Sequence, residues 1–278
     1  DKKNETVQKT DIISGIVMVL GLLSLTYGTH ELVHIKNQPF LVTGSLVLAV
    51  LLLVMVFYRL KSVAEPLFDL QLFRHRSLVV SNAVFFTLGA FFIGFLFLIS
   101  LMLQKDMGYS AASAGLMLVP FSILSALTAK FILPHISKRF SSSQMGVLGW
   151  LFMLAGGLLL LISVYTGHPL TVVLLGAACI SGIGMTFCFT ALSVMGIQDV
   201  EPSNYGLASS LSSTSYFLGA GIGLSFMTLM SQVFPSDFAV GSLNLIILTG
   251  YALSALGMLF YFILRSLKVK QAKVAVSS

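Results

Sequence analysis

Long uncharged apolar runs constrain this chain more than any other feature. Residues 12–27, 40–58 and 78–103 contain no Asp, Glu, Lys or Arg, and several comparable runs follow. A stretch of this kind is read as a bilayer-spanning helix. In lipid, only a backbone that bonds to itself leaves no costly unpaired N–H or C=O group. Only 9% of the residues are charged and 56% are hydrophobic, whereas a soluble domain carries about a quarter charged residues. The expected fold class is therefore all-α, a polytopic membrane helix bundle with about eight transmembrane helices.

The formal charge of +6 does not imply a nucleic-acid partner. Lys and Arg sit at the ends of the apolar runs and form no continuous stripe. With the N-terminus inside, one membrane face collects 14 of the 16 basic residues, and only Lys36 and Lys105 fall on the other. The positive-inside rule then predicts an even helix count and cytoplasmic termini. Cys179 and Cys188 share one apolar run and, nine positions apart, would lie on opposite sides of a helix, unable to pair. Lys2, Lys3 and Lys9 precede the first run as in a signal peptide. No small-residue cleavage site follows before Glu31 and His34, so the run is expected to be retained. A first residue of Asp1, in place of Met, hints at upstream sequence.

The runs predict helices at 11–29, 39–59, 77–104, 111–133, 144–165, 170–197, 204–231 and 242–265. Connections are short except at 59–76. There Arg59, Lys61, Arg74 and Arg76 flank Pro66-Leu67-Phe68-Asp69-Leu70, a mixture suited to an amphipathic segment on the membrane surface. The expected organisation is a leading tail with a two-helix hairpin at 1–58 and an amphipathic linker at 59–76. A six-helix bundle at 77–265 and a basic tail at 266–278 complete it. Gly182-Ile183-Gly184 and Gly219-Ala220-Gly221-Ile222-Gly223 let helices approach closely. They serve either plain packing or the sliding surfaces of a moving bundle.

Several local patterns coincide. Pro66-Leu67-Phe68-Asp69-Leu70-Gln71-Leu72-Phe73-Arg74 precedes the third helix and Gln104 closes it. Gly108-Tyr109-Ser110-Ala111, Ala114-Gly115-Leu116 and Pro120 follow. Later, Pro202, Gly206, Ala208 and Ser209 lead into Gly219 and Gly223. Together they resemble the major facilitator superfamily, specifically its fourteen-helix drug:proton antiporters, over nearly the whole chain. The resemblance implies half of a major facilitator fold. The first two helices correspond to a hairpin inserted between two six-helix halves, and the other six to the C-terminal half. It further implies proton-coupled efflux of small amphipathic compounds or drugs across the cytoplasmic (inner) membrane of a bacterium. The N-terminal six-helix half would then be missing from this chain.

Two positions depart from that family. Its gating loop Gly-x-Leu-x-Asp-Arg-x-Gly falls on Pro134-His135-Ile136-Ser137-Lys138-Arg139-Phe140-Ser141. Lys138 holds the Asp position, and Pro134 and Ser141 hold the glycine positions, so that charge lock lacks its carboxylate here. Tyr216 and Phe217 stand where many relatives carry Arg and Gln, which exchanges a polar contact for aromatic surface.

By resemblance, the third, fourth, sixth and seventh helices line the central cavity. Their polar and aromatic members give the substrate-cavity candidates Asn82, Phe86, Gln104, Ser122, Thr186, Phe189 and Tyr216. With 22 Phe and 12 Met, a broad adaptable cavity is expected, although any single Phe can equally face lipid or a neighbouring helix. Asn82 can bond a neighbouring helix or face a water-filled path. Proton coupling needs a group that titrates inside the protein, and none of the ten acidic residues lies at mid-membrane. Glu31, near the outer end of the first helix, is the coupling candidate. The alternative is a carrier in the half this chain lacks.

His30-Glu31-Leu32-Val33-His34 matches the zinc-protease pattern, in which two histidines on one helix face bind metal and Glu acts as base. A catalytic zinc needs a third protein ligand. Glu65 and Asp69 lie about 30 Å away across the bilayer, and Asp106 and Asp237 sit in no ligand motif. Interfacial polar residues explain the pentapeptide, with a membrane metalloprotease as the alternative function. The expected partners are the lipid bilayer, a small-molecule substrate, and either the missing six-helix half or a second copy of the chain. No nucleic acid and no cofactor is expected. Because alternating access rocks one repeat against another, the chain is expected not to transport as a monomer.

Overall fold

In the computed structural model, residues 11–62, 70–233 and 240–277 are described, and their regular structure is helical throughout. The chain divides into two compact units, Asp1–His75 and Arg76–Ser278. In the first, α1 (Ile12–His30) and α2 (Pro39–Ser62) are joined through a 3-10 turn at Glu31–His34. Small residues on α1 recur every seven positions at Ser14, Gly21 and Gly28, all buried. Opposite them, Val42, Ala49 and Val56 recur at the same interval on α2. A seven-residue repeat on both partners keeps one seam in contact along the whole length. A Cβ at Gly28 would lie 2.8 Å from Leu46 Cγ, and one at Gly21 would lie 3.2 Å from a Leu53 methyl. At the open end, Arg59 Nη2 donates to Asp11 Oδ1 at 3.0 Å and Arg59 Nε to Ser14 Oγ at 3.1 Å. Most other large apolar side chains of the hairpin are exposed, as suits a surface turned to acyl chains.

Among the described residues the second unit has six long helical rods. They are α3 (Arg76–Asp106), α4 (Ala111–Ile136), α5 (Ser142–Tyr165) and α6 (Leu170–Ile197), then α7 (Tyr205–Val233) and α8 (Val240–Ser277). Among the described residues seven helices are long and apolar enough to cross a membrane. At ~1.5 Å per residue, the 29-residue α7 is also long enough, and it is richer in Ser, Thr and Gly than its neighbours. Three rods contain π-helical segments, at Met102–Asp106, Thr128–Ile132 and Ala178–Gly184. α3 is the most buried rod of the unit and α4 the least.

Lipid tails are as apolar as leucine, so these rods gain by close packing and not by leaving water. The tightest approach is between α3 and α7. A Cβ at Gly219 would fall on the Phe86 carbonyl, one at Gly89 on the Tyr216 carbonyl, and one at Gly223 on Ala90. Asn82–Ser215, Phe86–Gly219, Ala90–Gly223 and Gly94–Met227 all meet at one constant sequence offset, so α3 and α7 run parallel. α5 and α6 pair in the opposite sense through Gly149 on Cys188, Met153 on Gly184, and Gly156 on Gly176 and Ile180. Phe91 and Trp150, with ring centres 5.6 Å apart and nearly perpendicular, fill the middle. Edge-to-face contact of this kind is favoured by the ring quadrupoles.

The structure refines several boundaries. α2 runs on to Ser62, Leu70–Arg74 forms a 3-10 turn, and α8 continues as helix to Ser277, through the segment expected as a tail. The leading tail at 1–10 and the middle of the amphipathic linker at 63–69 lie outside the described residues. Cys188 is buried and Cys179 half-buried, both as free thiols.

Candidate functional site: a hydroxyl and aromatic surface of the second unit

Three rods of the second unit share a polar and aromatic side. α3 supplies Ser81, Asn82 and Phe85, α6 supplies Thr186, Phe189 and Ser193, and α7 supplies a run of serines with Tyr216. Ser81 Oγ donates to the Leu192 carbonyl at 2.7 Å, which ties α3 to α6. Asn82 Nδ2 donates to the Leu78 carbonyl of its own helix at 2.8 Å, and its Oδ1 accepts from Ser215 Oγ at 3.0 Å. Next to that bridge runs a chain of edge-to-face rings. Phe85 to Phe189 measures 5.5 Å between centres, Phe189 to Tyr216 6.3 Å, and Tyr216 to Phe217 5.4 Å.

Against this chain lies a cavity of about 200 Å³, lined by Phe85, Phe189, Ser193, Ser209, Ser212 and Ser213. Its hydroxyls are partly committed. Ser193 donates to the Phe189 carbonyl, Ser212 to that of Ala208 and Ser213 to that of Ser209. Each hydroxyl has one hydrogen and two lone pairs. The cavity therefore offers aromatic faces and acceptor oxygens, with no charged group among its described lining residues. A neighbouring polar contact joins α4 to α6, where Ser125 Oγ and Thr186 Oγ1 lie 2.7 Å apart. Thr186 Oγ1 also approaches the Gly182 carbonyl at 3.3 Å, inside the π segment of α6.

The residues singled out from sequence distribute unevenly. Phe189 and Tyr216 touch, and Asn82 bonds the residue preceding Tyr216. Phe86 lies against Gly219 one turn further along both helices. Thr186 is close in sequence to Phe189 and bonded to α4, and Ser122 is an exposed residue of α4 one turn before Ser125. Gln104 is not part of the group. It sits at the far end of α3 and bonds Ser100 Oγ at 2.7 Å, about 27 Å along the axis from Phe86. Glu31 belongs to the other unit, half-buried in the turn after α1. Sequence reasoning overlooked Phe85, Ser125, Ser193, Ser209, Ser212 and Ser213. The available signal was the run Ser209-Ser210-Leu211-Ser212-Ser213, four hydroxyls in five residues of a membrane-length helix.

The histidine pentapeptide takes a form unlike the zinc-protease pattern. α1 ends at His30, and Glu31 to His34 turn as a 3-10 helix, with both histidines exposed. The two imidazoles are therefore not presented from one continuous α-helical face. Among the described residues, no three His, Cys, Asp or Glu side chains gather to hold a metal ion.

Membrane-length apolar helices and glycine-mediated packing, with a polar, aromatic side on one unit, define the class, a polytopic helical membrane protein. The chain belongs to the Major Facilitator Superfamily, whose family model matches residues 12–224. It is 25% identical over 224 residues to the multidrug resistance protein Stp of Mycobacterium tuberculosis, covering 81% of this chain and 41% of that protein. The multidrug efflux pump LfrA of Mycolicibacterium smegmatis is 28% identical over 179 residues, 64% of this chain and 35% of the pump. The cephamycin export protein CmcT of Amycolatopsis lactamdurans is 28% identical over 226 residues, 79% and 45% respectively. The chain thus spans about half the length of the curated relatives it matches. Family and helices together make it a multi-pass membrane protein of the bacterial inner-membrane kind.

Proposed function

We propose that this chain supplies one half of an efflux pathway for small amphipathic compounds, and that the cavity beside Phe189 is part of the substrate surface. The observation that carries the reading is that cavity, with rings on one side and serine oxygens on the other. Such a lining holds an apolar body loosely and orients it through a few hydrogen bonds, as adaptable sites do. Multidrug resistance and efflux in the names of Stp and LfrA support the same substrate class.

Asn82, Phe86, Ser122, Thr186, Phe189 and Tyr216 extend this surface along the path, with Gln104 at its outer end. Alternating access works by rocking two repeats about a midplane site. A second set of helices, either a six-helix N-terminal half or another copy of the chain, completes the pathway. The basic residues at the helix ends support cytoplasmic termini. Energy comes from proton coupling. The described acidic residues of the second unit, Asp106, Asp199 and Glu201, stand in loops or at a helix end. The proton is therefore carried by the completing helices, or by Glu31 in the hairpin.

The test is dye efflux from cells that co-express the chain with a six-helix N-terminal half of a related antiporter. Phe189→Ala and Ser213→Leu should each lower the efflux rate about 10-fold, the loss of ~1–2 kcal/mol of contact with the transported molecule. Leu253→Ala, at an exposed apolar position of α8, should leave it unchanged. Wild-type rates in both cavity variants would refute the assignment of this surface.

A further inference from the structure

α4 is the least buried rod of the second unit, and it packs on α6. Leu124 sits over Gly182, where a Cβ would lie 2.5 Å from a Leu124 methyl. Beside it, Ser125 Oγ and Thr186 Oγ1 lie 2.7 Å apart. Further along, Thr128–Ile132 meets Met185–Ile197, so the two helices run parallel. Both carry a π-helical segment at this contact, Thr128–Ile132 on α4 and Ala178–Gly184 on α6. Such widened turns inside a helix are found mostly at functional positions.

Thr128 is the residue at this contact whose chemistry is left incomplete. It is fully buried, yet its Oγ1 has no hydrogen-bond partner among the described residues. A threonine in a helix ordinarily bonds the carbonyl four residues back, as Thr186 does with Gly182. An unpaired buried hydroxyl raises the energy of the arrangement that contains it. The sequence repeats here, Leu124-Ser125-Ala126 being followed at once by Leu127-Thr128-Ala129. A screw step of three residues moves a helix ~4.5 Å along its axis and turns it by about 60°. That step carries Leu127 onto Gly182 and Thr128 Oγ1 onto Thr186. Leu127, 48% exposed in the present register, gains the seat that Leu124 leaves, and Ser125 becomes free to bond its own helix. We infer that α4 has two registers on α6, the observed one closed by Ser125–Thr186 and a second closed by Thr128–Thr186. One-turn steps between two discrete seats are a known form of conformational switch. The inference goes beyond the transport reading and requires only that the second unit is folded in a bilayer.

The experiment is a distance measurement by double electron–electron resonance on the full chain in lipid nanodiscs, with Cys179→Ala and Cys188→Ala as background. Spin labels go on Leu116 of α4 and Val194 of α6, both exposed and separated by about 30 Å along the parallel axes. The step moves α4 towards its Ala111 end, so the second register should appear as a minor population about 4 Å longer. Ser125→Ala removes the bond of the observed register and should raise the ratio of long to short about threefold, the effect of one typical interhelical hydrogen bond in a membrane. Thr128→Val keeps the shape of the side chain without its hydroxyl and should remove the long population, whereas Thr128→Ser should retain it. Absence of the long population from both the parent chain and Ser125→Ala, or its persistence in Thr128→Val, would overturn the proposal.

Discussion

Asp11 ties the beginning of α1 to the end of α2, and its chemistry makes the hairpin sensitive to acid. The Ser14 hydroxyl, bonded to Asp11 Oδ2, is the largest influence holding the carboxyl below its usual range. The Ser14 backbone N–H and Arg59 act in the same direction, and burial opposes them. A carboxyl whose folded pKa is depressed adds stability above its unfolded pKa and loses it as pH falls through the folded value. Hairpin closure is therefore expected to be constant near neutrality and to weaken only at pH below the ordinary carboxylate range. Spin labels at Leu23 and Val50 would report this as broader distances in acid, and Asp11→Asn should show broader distances already at neutral pH with no further acid response. At this scale the sequence was only partly legible. Asn82, Phe189 and Tyr216 are conspicuous by chemistry, and the structure brings them together. The cavity serines are not conspicuous, because a hydroxyl that bonds its own helix is tolerated anywhere in a span. Gln104 is just as polar, and only its position along α3 separates it from the group, while Glu31 belongs to the other unit.

Among the elements, the α3–α7 contact is the most demanding. Gly219 faces a backbone carbonyl and not the end of a flexible side chain, so any Cβ there must push the helices apart. Gly219→Val should destabilise the second unit by at least ~2 kcal/mol, towards the upper range for overpacking. Gly250→Val, at a glycine with open space around it, should cost no more than a surface change. Thermal unfolding in detergent distinguishes the two, and equal melting temperatures would contradict the close packing described. Asn82→Ala should cost less, about 0.6 kcal/mol, as is typical of interhelical hydrogen bonds in membranes. Helix existence was legible because uncharged runs of this length admit few alternatives in lipid. The ends of α2 and α8 were not, because Arg59, Lys61, Arg265 and Lys268 are good helix formers. Charge marks where a span leaves the membrane, not where the helix stops. The glycine pairs were visible as close-approach sites, but their partners were not. Which helices meet depends on tertiary register, and only contacts such as Gly219 on Phe86 reveal it.

For the molecule as a whole, the proposal is that the second unit forms half of a pathway. Phe189, Ser209, Ser213 and Phe217 are exposed on it, the surface that a second set of helices is proposed to enclose. Family membership was legible from short motifs spread along the chain. The transported molecule was not, because aromatic faces and hydroxyl lone pairs of the kind lining this cavity are satisfied by many compounds. The decisive measurement is efflux of a fluorescent amphipathic dye, driven by a pH gradient, from cells expressing this chain alone and together with a six-helix N-terminal half of a related antiporter. Efflux is expected from the co-expressing cells, abolished when the gradient is collapsed, and efflux from the chain alone would mean that a second copy completes the pathway. No efflux in either setting, from chain shown to be inserted in the membrane, would contradict the proposal.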